Sequence, residues 1–473
     1  LAGTVSWTNS SGGDWNTATN WSGGAIPGAS DTVYIDLAGS YTISLSSGTT
    51  VSRIVFGDGT SGTKTLNLNS GTLTAANGLE IKSDGLLRIS NNVTVAAPIV
   101  NDGFINLWGN NSTLSSTLAN NGTLEVGRVA QINGAFSNGS GASLIIRHSS
   151  SCCNAILTLD SAFVNEGSIS FQGSIGNNNY RSELIVNQGT LVNAPSASIT
   201  FDPTFGIRTL KAAVDNQGTI TVNARPATIQ APYNNAVFSN SGTINVIGSN
   251  LAYNLATGGT LTNTGDINIS AGRTFSVLNG NWNYNSGTIS GAGKMAFSTV
   301  NADFAANLPN VAIDFTSSTV TGPGLVQQKN INTNSTTWNV PSWLVTDSTA
   351  VTLNASNVFN NTMTNQGTVV VNGRPNTWNN GLSNQGQLFV FRDQATINGT
   401  FENQSGANLQ IRHTSSCCNA ILTLDSAFVN EGTISFQGSV GNNNYRSELI
   451  VNQGILVNAP SASITFDPTF GIR

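Results

Sequence analysis

Charged residues and the residues that most often act in catalysis are scarce in this chain. Only 9% of the 473 residues are Asp, Glu, Lys or Arg, and there are two His, four Cys and two Met. The net charge is -5 and no basic cluster occurs, which argues against nucleic acid as a partner because phosphate binding needs clustered Lys and Arg. No apolar run approaches the roughly 18 to 20 residues of a membrane span. The sequence therefore predicts neither a nucleic-acid-binding nor a membrane-spanning protein.

The scarcity of acids and histidines also argues against an enzyme. Glycosidases need two carboxylates within several ångströms of each other, whereas Asp160, Glu183 and Asp202 are scattered along the chain. Both histidines lie beside cysteine pairs, which leaves no Ser-His-Asp set. We expect no catalytic residues, no cofactor and no calcium site, because the acidic repeats of calcium-binding β-rolls are missing.

Glycine and small polar residues are abundant instead. The chain has 50 Gly and is 38% apolar, and Val, Ile, Leu and Phe alternate with Ser and Thr through much of its length. An alternation of period two is typical of half-buried β-strands. The sequence therefore predicts an all-β protein.

A long repeat spans much of the chain. Residues 143–208 return at 408–473 with six differences. The second copy reaches Arg473, the counterpart of Arg208, so we expect a further unit of a longer array to follow. The sequence starts at Leu1 with neither a methionine nor a signal peptide, and we expect either that a leader has been removed or that the numbering starts inside a precursor.

A short motif, Asn-x-Gly-x-(Ile/Leu/Val), recurs mostly every 18 to 29 residues. Asn and Gly both tolerate the left-handed backbone conformation, so the motif predicts a corner followed by a strand. Looser forms start at Asn138, Asn193, Asn403 and Asn458. Stacked corners would bring successive amides together in an internal ladder. The predicted ladder consists of Asn101, Asn120, Asn165, Asn187, Asn216, Asn240, Asn263, Asn285, Asn365, Asn384, Asn430 and Asn452.

A corner and strand pattern with a period in the twenties predicts a parallel β-helix, a β-solenoid whose coils bury their apolar faces by stacking. The alternative is an array of β-sandwiches, but hairpins would recur every 8 to 12 residues. We expect a capping segment at 1–50, coils at 51–208 and a second block of coils at 209–473. The corner motif is missing between Asn285 and Asn365, so 290–360 is expected to be irregular.

The N-terminal segment is rich in tryptophan. It contains Trp7, Asp14-Trp15-Asn16, Asn20-Trp21-Ser-Gly-Gly24, Pro27 and Asp31-Thr-Val-Tyr-Ile35. This arrangement resembles the opening of large secreted bacterial β-helix proteins, including autotransporter passengers and filamentous-haemagglutinin-like adhesins. The resemblance covers about 35 residues and implies a secreted or cell-surface location and an adhesive or scaffolding role. The sequence contains no autotransporter β-barrel, so the resemblance leaves the export route open.

All four cysteines fall in two copies of one loop, as the pairs Cys152-Cys153 and Cys417-Cys418, and each pair follows a histidine. Regular stacking would place the two loops about 50 Å apart, too far for a disulfide between them. The pairs are candidates for vicinal disulfides or for cross-links to neighbouring chains. Reduced thiols, or a soft metal held by His and both cysteines, are the alternatives.

Two functional hypotheses follow. The first is a structural protein, a tandemly repeated β-helical rod that self-associates or cross-links into an extracellular or cell-surface fibre. The second is a glycan-binding surface adhesin, or a non-catalytic relative of β-helix polysaccharide enzymes, that uses an aromatic platform such as Trp108, Trp282 or Trp378. The simplest role of those tryptophans is to fill the core or to cover coil ends.

Overall fold

A computed structural model describes residues 3–60, 62–148, 152–173, 179–202, 205–223, 225–305, 307–373, 375–413, 418–438 and 445–467. Short strands dominate these ranges, and each strand pairs in parallel with the equivalent strand of the next coil. The predicted parallel β-solenoid is thereby confirmed. Contacts divide the chain into two units, Leu1–Ala256 and Thr257–Arg473. No helix in the described ranges is long and apolar enough to cross a membrane.

Each coil of the first unit has three faces. The first face contains Gly13–Asp14, Tyr41–Leu45, Lys64–Leu68, Gly85–Ile89, Phe104–Leu107, Thr123–Val126, Ser143–Arg147, Ser168–Gln172, Ser198–Phe201, Thr219–Val222 and Thr243–Val246. The second contains Thr49–Val51, Thr72–Ala75, Thr94–Ala96, Ser112–Leu114, Val129–Ile132, Ala155–Leu159, Ala227–Gln230 and Leu251–Asn254. The third contains Thr4–Ser6, Thr32–Ile35, Arg53–Phe56, Leu79–Ile81, Ile99–Asn101, Leu118–Asn120, Phe136–Asn138, Phe163–Asn165 and Val237–Asn240. Two long strands, Arg181–Asn193 and Ile207–Asn216, each contribute to the second and third faces.

The second unit is built in the same way. One face contains Thr260–Asn263, Asn281–Tyr284, Asn301–Phe304, Thr319–Thr321, Thr337–Asn339, Val358–Phe359, Asn376–Trp378, Asp393–Ile397, Ala420–Leu424 and Ser447–Val451. The next contains Thr274–Leu278, Lys294–Ser298, Ala312–Thr316, Ile331–Asn334, Ala350–Ala355, Thr368–Val371, Gln387–Val390, Asn408–Arg412, Thr433–Gln437 and Ser463–Phe466. The last contains Asp266–Ile269, Ile289–Ser290, Leu325–Gln327, Ser342–Val345, Thr362–Asn365, Gly381–Asn384, Thr400–Asn403, Phe428–Asn430 and Leu456–Asn458.

The core consists of columns of apolar side chains, one from each coil. Alternation along a strand points every second residue inward, and parallel stacking in register places like residues above one another. A fully buried column of the first unit shows this arrangement. It contains Ile105, Leu124, Leu144, Ile169, Ile199, Ile220 and Ile244.

The tryptophan cluster of the N-terminal segment packs inside the first coils. The indoles of Trp7 and Trp15 each make an edge-on contact with Trp21, at centroid distances of 4.9 and 4.7 Å, and all three are buried. Two short 3-10 helices, Ala18–Asn20 and Ser22–Gly24, flank Trp21. The segment therefore contributes both aromatic packing and paired strands to the solenoid.

Aromatic side chains pack against one another in the stretch 290–360. The rings of Trp338 and Trp343 stack at 4.0 Å, and Phe315 contacts Trp338 at 5.1 Å. Two faces continue as parallel strands, whereas the described residues between Ser290 and Leu325 add no strand to the last face. A register shift between Thr333 and Asn334, where Ile331–Asn334 pairs with Ala350–Ala355, adds a second irregularity on another face.

Candidate functional sites

A ladder of asparagine side chains runs through the interior of the first unit. Each Nδ2 donates a hydrogen bond of 2.7 or 2.8 Å to the Oδ1 of the asparagine one coil further on. Several Nδ2 atoms also approach a backbone carbonyl, as Asn138 does that of Ser168 at 3.1 Å. Every rung is at least 99% buried. The rungs are Asn101, Asn120, Asn138, Asn165, Asn193, Asn216 and Asn240.

A second ladder of the same kind lies in the second unit. Its side-chain hydrogen bonds are again 2.7 to 2.8 Å, and they also run from donor to acceptor toward the C-terminus. The rungs are Asn365, Asn384, Asn403, Asn430 and Asn458. Asn263, which was also predicted, is buried and donates to the carbonyl of Gly265 at 2.9 Å.

Three asparagines predicted as rungs, Asn187, Asn285 and Asn452, are exposed and lie outside the ladders. Asn187 bonds to the carboxylate of Asp160 at 3.0 Å, and Asn452 bonds similarly to Asp425 at 2.6 Å. In these two coils the register instead brings Asn193 and Asn458, two of the looser motifs, onto the preceding rung.

Asn285 fails as a rung for a different reason. Tyr284 is the residue in register with Asn263, so the next residue along the strand points outward. Tyr284 fills the rung position and donates its hydroxyl to the carbonyl of Gly287 at 2.8 Å. A motif can therefore mark a corner without placing its asparagine inside.

Both ladders begin with an acceptor that has no donor. Asn101 follows Ile81 in register and Asn365 follows Val345, so no amide lies one coil earlier. The buried Oδ1 atoms of Asn101 and Asn365 consequently make no hydrogen bond. Since buried acceptors are almost always satisfied, each ladder carries one energetic penalty at its start.

The sulfur atoms of Cys152 and Cys153 are bonded to each other as a vicinal disulfide. Cys153 has a φ of 81°, in the left-handed region, and the equivalent Cys418 has a φ of 76°. Cys417 lies outside the described residues. The same backbone conformation at the second cysteine of both pairs indicates that the loop has one preferred geometry.

The two histidines are buried against hydroxyl groups and backbone rather than exposed beside the sulfurs. Nε2 of His148 lies 2.8 Å from the carbonyl oxygen of Phe205, and the His148 amide donates to Ser182 Oγ at 3.3 Å. In the second copy, the amide and Nδ1 of His413 each lie 3.0 Å from Ser447 Oγ. Among the described residues, no group of three or more His, Cys, Asp or Glu could hold a metal ion.

Arg208 is a buried cation that the sequence did not reveal. It is 1% exposed, and its guanidinium donates to the carbonyls of Gly206 at 2.7 Å and Phe205 at 3.2 Å. Burial lowers the pKa of Arg208 to about 10, although Asp202 opposes the shift. The guanidinium of Arg225 lies 4.9 Å from the centre of the Phe205 ring. Both arginines therefore contact Phe205, Arg208 at its carbonyl oxygen and Arg225 at its ring.

Lys64 is a second buried cation, and it is paired. Its ammonium lies 2.9 Å from Asp58 and 2.5 Å from Asp84. Burial alone would lower the pKa of Lys64, but hydrogen bonds to Asp84 and Asp58 outweigh burial and raise it. The hydrogen bond from Lys64 is the main reason that the pKa of Asp58 lies well below its ordinary value. The cluster therefore joins Asp58, Lys64 and Asp84 by ion pairs, and all three side chains serve this structural contact.

The three candidate platform tryptophans differ in exposure. Trp282 and Trp378 are buried in the core, whereas Trp108 is 46% exposed. Trp282 and Trp378 therefore fill the core, which is the simplest role expected for these tryptophans. Only Trp108 has a surface available to a ligand.

The last described coil exposes side chains whose equivalents are buried in the first copy. Leu191, Ile199 and Phe201 are fully buried, beneath the coil that contains Ile207–Asn216 and Thr219–Val222. The equivalent residues of the second copy include Phe466, which is 60% exposed. The end rung Asn458 bonds to the carbonyl of Ala462 at 3.1 Å, whereas its equivalent Asn193 bonds to Asn216.

Comparisons with protein-family models, with curated proteins and with solved structures gave no match to this chain.

Proposed function

We propose that this chain is a structural component of an extracellular or cell-surface fibre, in which β-solenoid rods associate end to end. The observation that carries the proposal is that each coil buries the apolar side chains of the coil before it, as Phe201 shows. In the second copy, Phe466 is 60% exposed on the outer surface of the coil formed by Ser447–Val451, Leu456–Asn458 and Ser463–Phe466. We call this surface the terminal face. The scarcity of acidic residues and histidines in the sequence and the resemblance of the N-terminal segment to secreted bacterial proteins also favour a structural role outside the cell.

The terminal face has the chemistry of a stacking surface. Its three strands pair with the preceding coil, and no strand among the described residues pairs with their other edge, where a further strand can bond. In the first copy the same sequence is covered by a coil that continues the apolar columns and the asparagine ladder. In the fibre that we propose, a further coil, from this chain or from a neighbouring molecule, covers the terminal face with the same parallel register.

Such a contact would join two different surfaces, one on each molecule. Contacts of this heterologous kind do not close into a symmetric dimer, and they propagate into linear assemblies. Self-association of this kind suits a solenoid of stacked coils with few charged residues.

Electron microscopy of the purified 473-residue protein tests the proposal. We expect rods that join end to end at high protein concentration, with a sedimentation coefficient that rises with concentration. Phe466→Asp places a charge on the terminal face and should abolish the association. Val237→Asp is the matched control, because Val237 is equally exposed but lies on the side of a coil in the first unit.

Two outcomes would contradict the proposal. One is a protein that stays monomeric at every concentration tested. The other is association that Phe466→Asp and Val237→Asp affect equally, because that result would place the contact elsewhere.

A further inference from the structure

Trp108 stands apart from the other seven tryptophans, which are all at most 2% exposed. It directly follows the strand Phe104–Leu107. Ile105 and Leu107 point into the core, so alternation places Phe104, Asn106 and Trp108 on the outer surface of the same coil. The outer surface of this coil thus presents two aromatic rings with an amide between them.

The indole of Trp108 lies flat against the next coil. A Cβ atom added at Gly127 would lie 2.8 Å from both Cδ1 and Nε1 of Trp108 and 2.9 Å from Cδ2. A point almost equidistant from three atoms of the five-membered ring lies over the face of that ring. One face of the indole therefore rests on Gly127, and its 46% exposure belongs largely to the opposite face. Glycine at this position makes the close approach possible.

Polar groups line up beside the indole on successive coils. Arg88, Asn106 and Glu125 are in register, so their outward side chains are about 4.8 Å apart. Ile146 pairs with Val126, so the residues that follow them, Arg147 and Gly127, occupy equivalent positions on neighbouring coils. A row of donors and acceptors therefore runs across the coils next to Trp108.

Glu125 in this row is buried and forms an ion pair with Arg147. The residue is only 7% exposed, and its Oε1 makes no hydrogen bond, although Nε of Arg147 lies 3.4 Å away. That Nε atom also makes no hydrogen bond. The ion pair does not have the geometry of a hydrogen bond, so the acceptor and the donor can each also bond to a ligand.

A groove adjoins the row toward the N-terminus. It has a volume of about 350 Å³ and is lined by residues that include Asp84, Leu86, Arg88, Phe104 and Asn106. Arg88, Phe104 and Asn106 belong to both the groove and the outer surface around Trp108. The two features therefore form one continuous surface, within the size range of small-ligand sites.

We propose that this surface, from the groove to Trp108, binds a linear oligosaccharide. The apolar C–H face of one sugar ring stacks on the exposed face of Trp108, as an amphipathic ligand does on an indole. Sugar hydroxyls both donate and accept, so one ligand satisfies Glu125 Oε1 and Arg147 Nε together. Phe104 and Trp108 are four residues apart on an extended strand, about 13 Å, which suits several linked sugars better than one. This binding site is independent of the end-to-end association proposed above.

The geometry favours an oligosaccharide over other ligands. A nucleic acid would bring phosphates against Asp84 and Glu125 on a protein of net charge -5. A lipid surface would need an apolar patch, whereas Arg88, Asn106, Glu125 and Arg147 make this one polar.

Titration of the full chain with cellohexaose, chitohexaose and hexagalacturonate, followed by calorimetry, tests the proposal. We expect at least one of these hexasaccharides to bind and Trp108→Ala to weaken that binding at least about tenfold. Gly127→Ala should weaken it as well, because the added Cβ displaces the indole. Glu125→Gln keeps the shape but exchanges an acceptor for a donor, and it should also weaken binding. Tyr233→Ala removes another exposed aromatic residue in the same unit and should leave the affinity unchanged.

Tryptophan fluorescence gives an independent readout. Trp108 is the only tryptophan with substantial exposure, so acrylamide should quench mainly its emission, and the bound hexasaccharide should protect it. The proposal is overturned if none of the three hexasaccharides binds at about 1 mM. It is also overturned if Trp108→Ala and Tyr233→Ala bind with the affinity of the unmodified chain.

Discussion

Asn193 and Asn187 allow a direct test of what the interior ladder contributes. The two residues lie on the same strand, Arg181–Asn193, but Asn193 is a buried rung and Asn187 is exposed. Replacement of Asn193 by alanine removes the acceptor of Asn165 Nδ2 and the donor to Asn216 Oδ1, both at 2.8 Å. The change therefore disturbs the rungs on either side as well as its own.

The expected cost follows from what each neighbour loses. Asn216 Oδ1 becomes a buried acceptor without a donor, which costs about 1 to 3 kcal/mol. Asn165 Nδ2 keeps long contacts of 3.3 and 3.4 Å to the carbonyls of Gly167 and Ser198, so its loss is nearer to one ordinary hydrogen bond, about 1 kcal/mol. We expect Asn193→Ala to lower the free energy of unfolding by about 2 to 4 kcal/mol in total.

Asn187→Ala is the matched control, and the measurement is urea unfolding of the full chain followed by circular dichroism. Asn187 loses one exposed hydrogen bond to Asp160, so we expect a change within about 0.5 kcal/mol. Hydrogen exchange should show faster exchange of the backbone amides around Asn165 and Asn216 in Asn193→Ala only. If the two variants lose the same stability, or if Asn193→Ala loses less than about 1 kcal/mol, the ladder does not stabilise the coil as we argue.

Two further predictions concern the buried cation and the cysteines. Lys64→Met leaves Asp58 and Asp84 without their counter-ion and should destabilise the chain by about 3 kcal/mol at neutral pH. Because the folded-state pKa of Asp58 is lowered, its contribution to stability is present above its ordinary pKa of 3.8 and is lost as the pH falls further. Acid unfolding curves of Lys64→Met should lack this loss. Curves identical to those of the unmodified chain would contradict the role of the pair. For the cysteines, we expect a monomeric mass under non-reducing conditions that is two hydrogens lower per oxidised pair, as the bond between Cys152 and Cys153 requires. Covalent multimers would instead show that the cysteines join neighbouring chains.

The fold could be predicted from the sequence because its signals are local and repeated. Each coil carries its own corner and its own period-two strand, so the prediction needed no long-range information. Which asparagine enters the interior, however, depends on register between coils. Asn187 and Asn193 both follow an apolar strand pattern, and only the pairing with Asn165 selects Asn193.

Buried polar groups were the least predictable part of the candidate sites. Lys64 and Arg208 look like surface residues in the sequence, because Lys and Arg are almost never fully buried unless they are paired. Their burial depends on partners distant in the chain, such as Asp84 for Lys64 and the carbonyl of Phe171 for Arg208. Trp108 shows the reverse case, since only the close approach to Gly127 on the next coil explains an indole on the outer surface.

The two copies of the long repeat show how strongly the burial of one coil depends on the coil that follows it. Residues 191–201 and 456–466 have the same sequence, yet Phe201 is fully buried and Phe466 is 60% exposed. The covering coil alone makes this difference, which is the nearest-neighbour behaviour expected of solenoids. Covering one leucine, one isoleucine and one phenylalanine at about 1.5 to 3 kcal/mol each gives at most roughly 5 to 9 kcal/mol for one interface, because Leu456 and Ile464 are already half-buried. Association of two molecules costs about 4 to 15 kcal/mol in lost translation and rotation. The interface is therefore stable between coils of one chain, where no association cost arises. Between molecules it should give an assembly that depends on protein concentration.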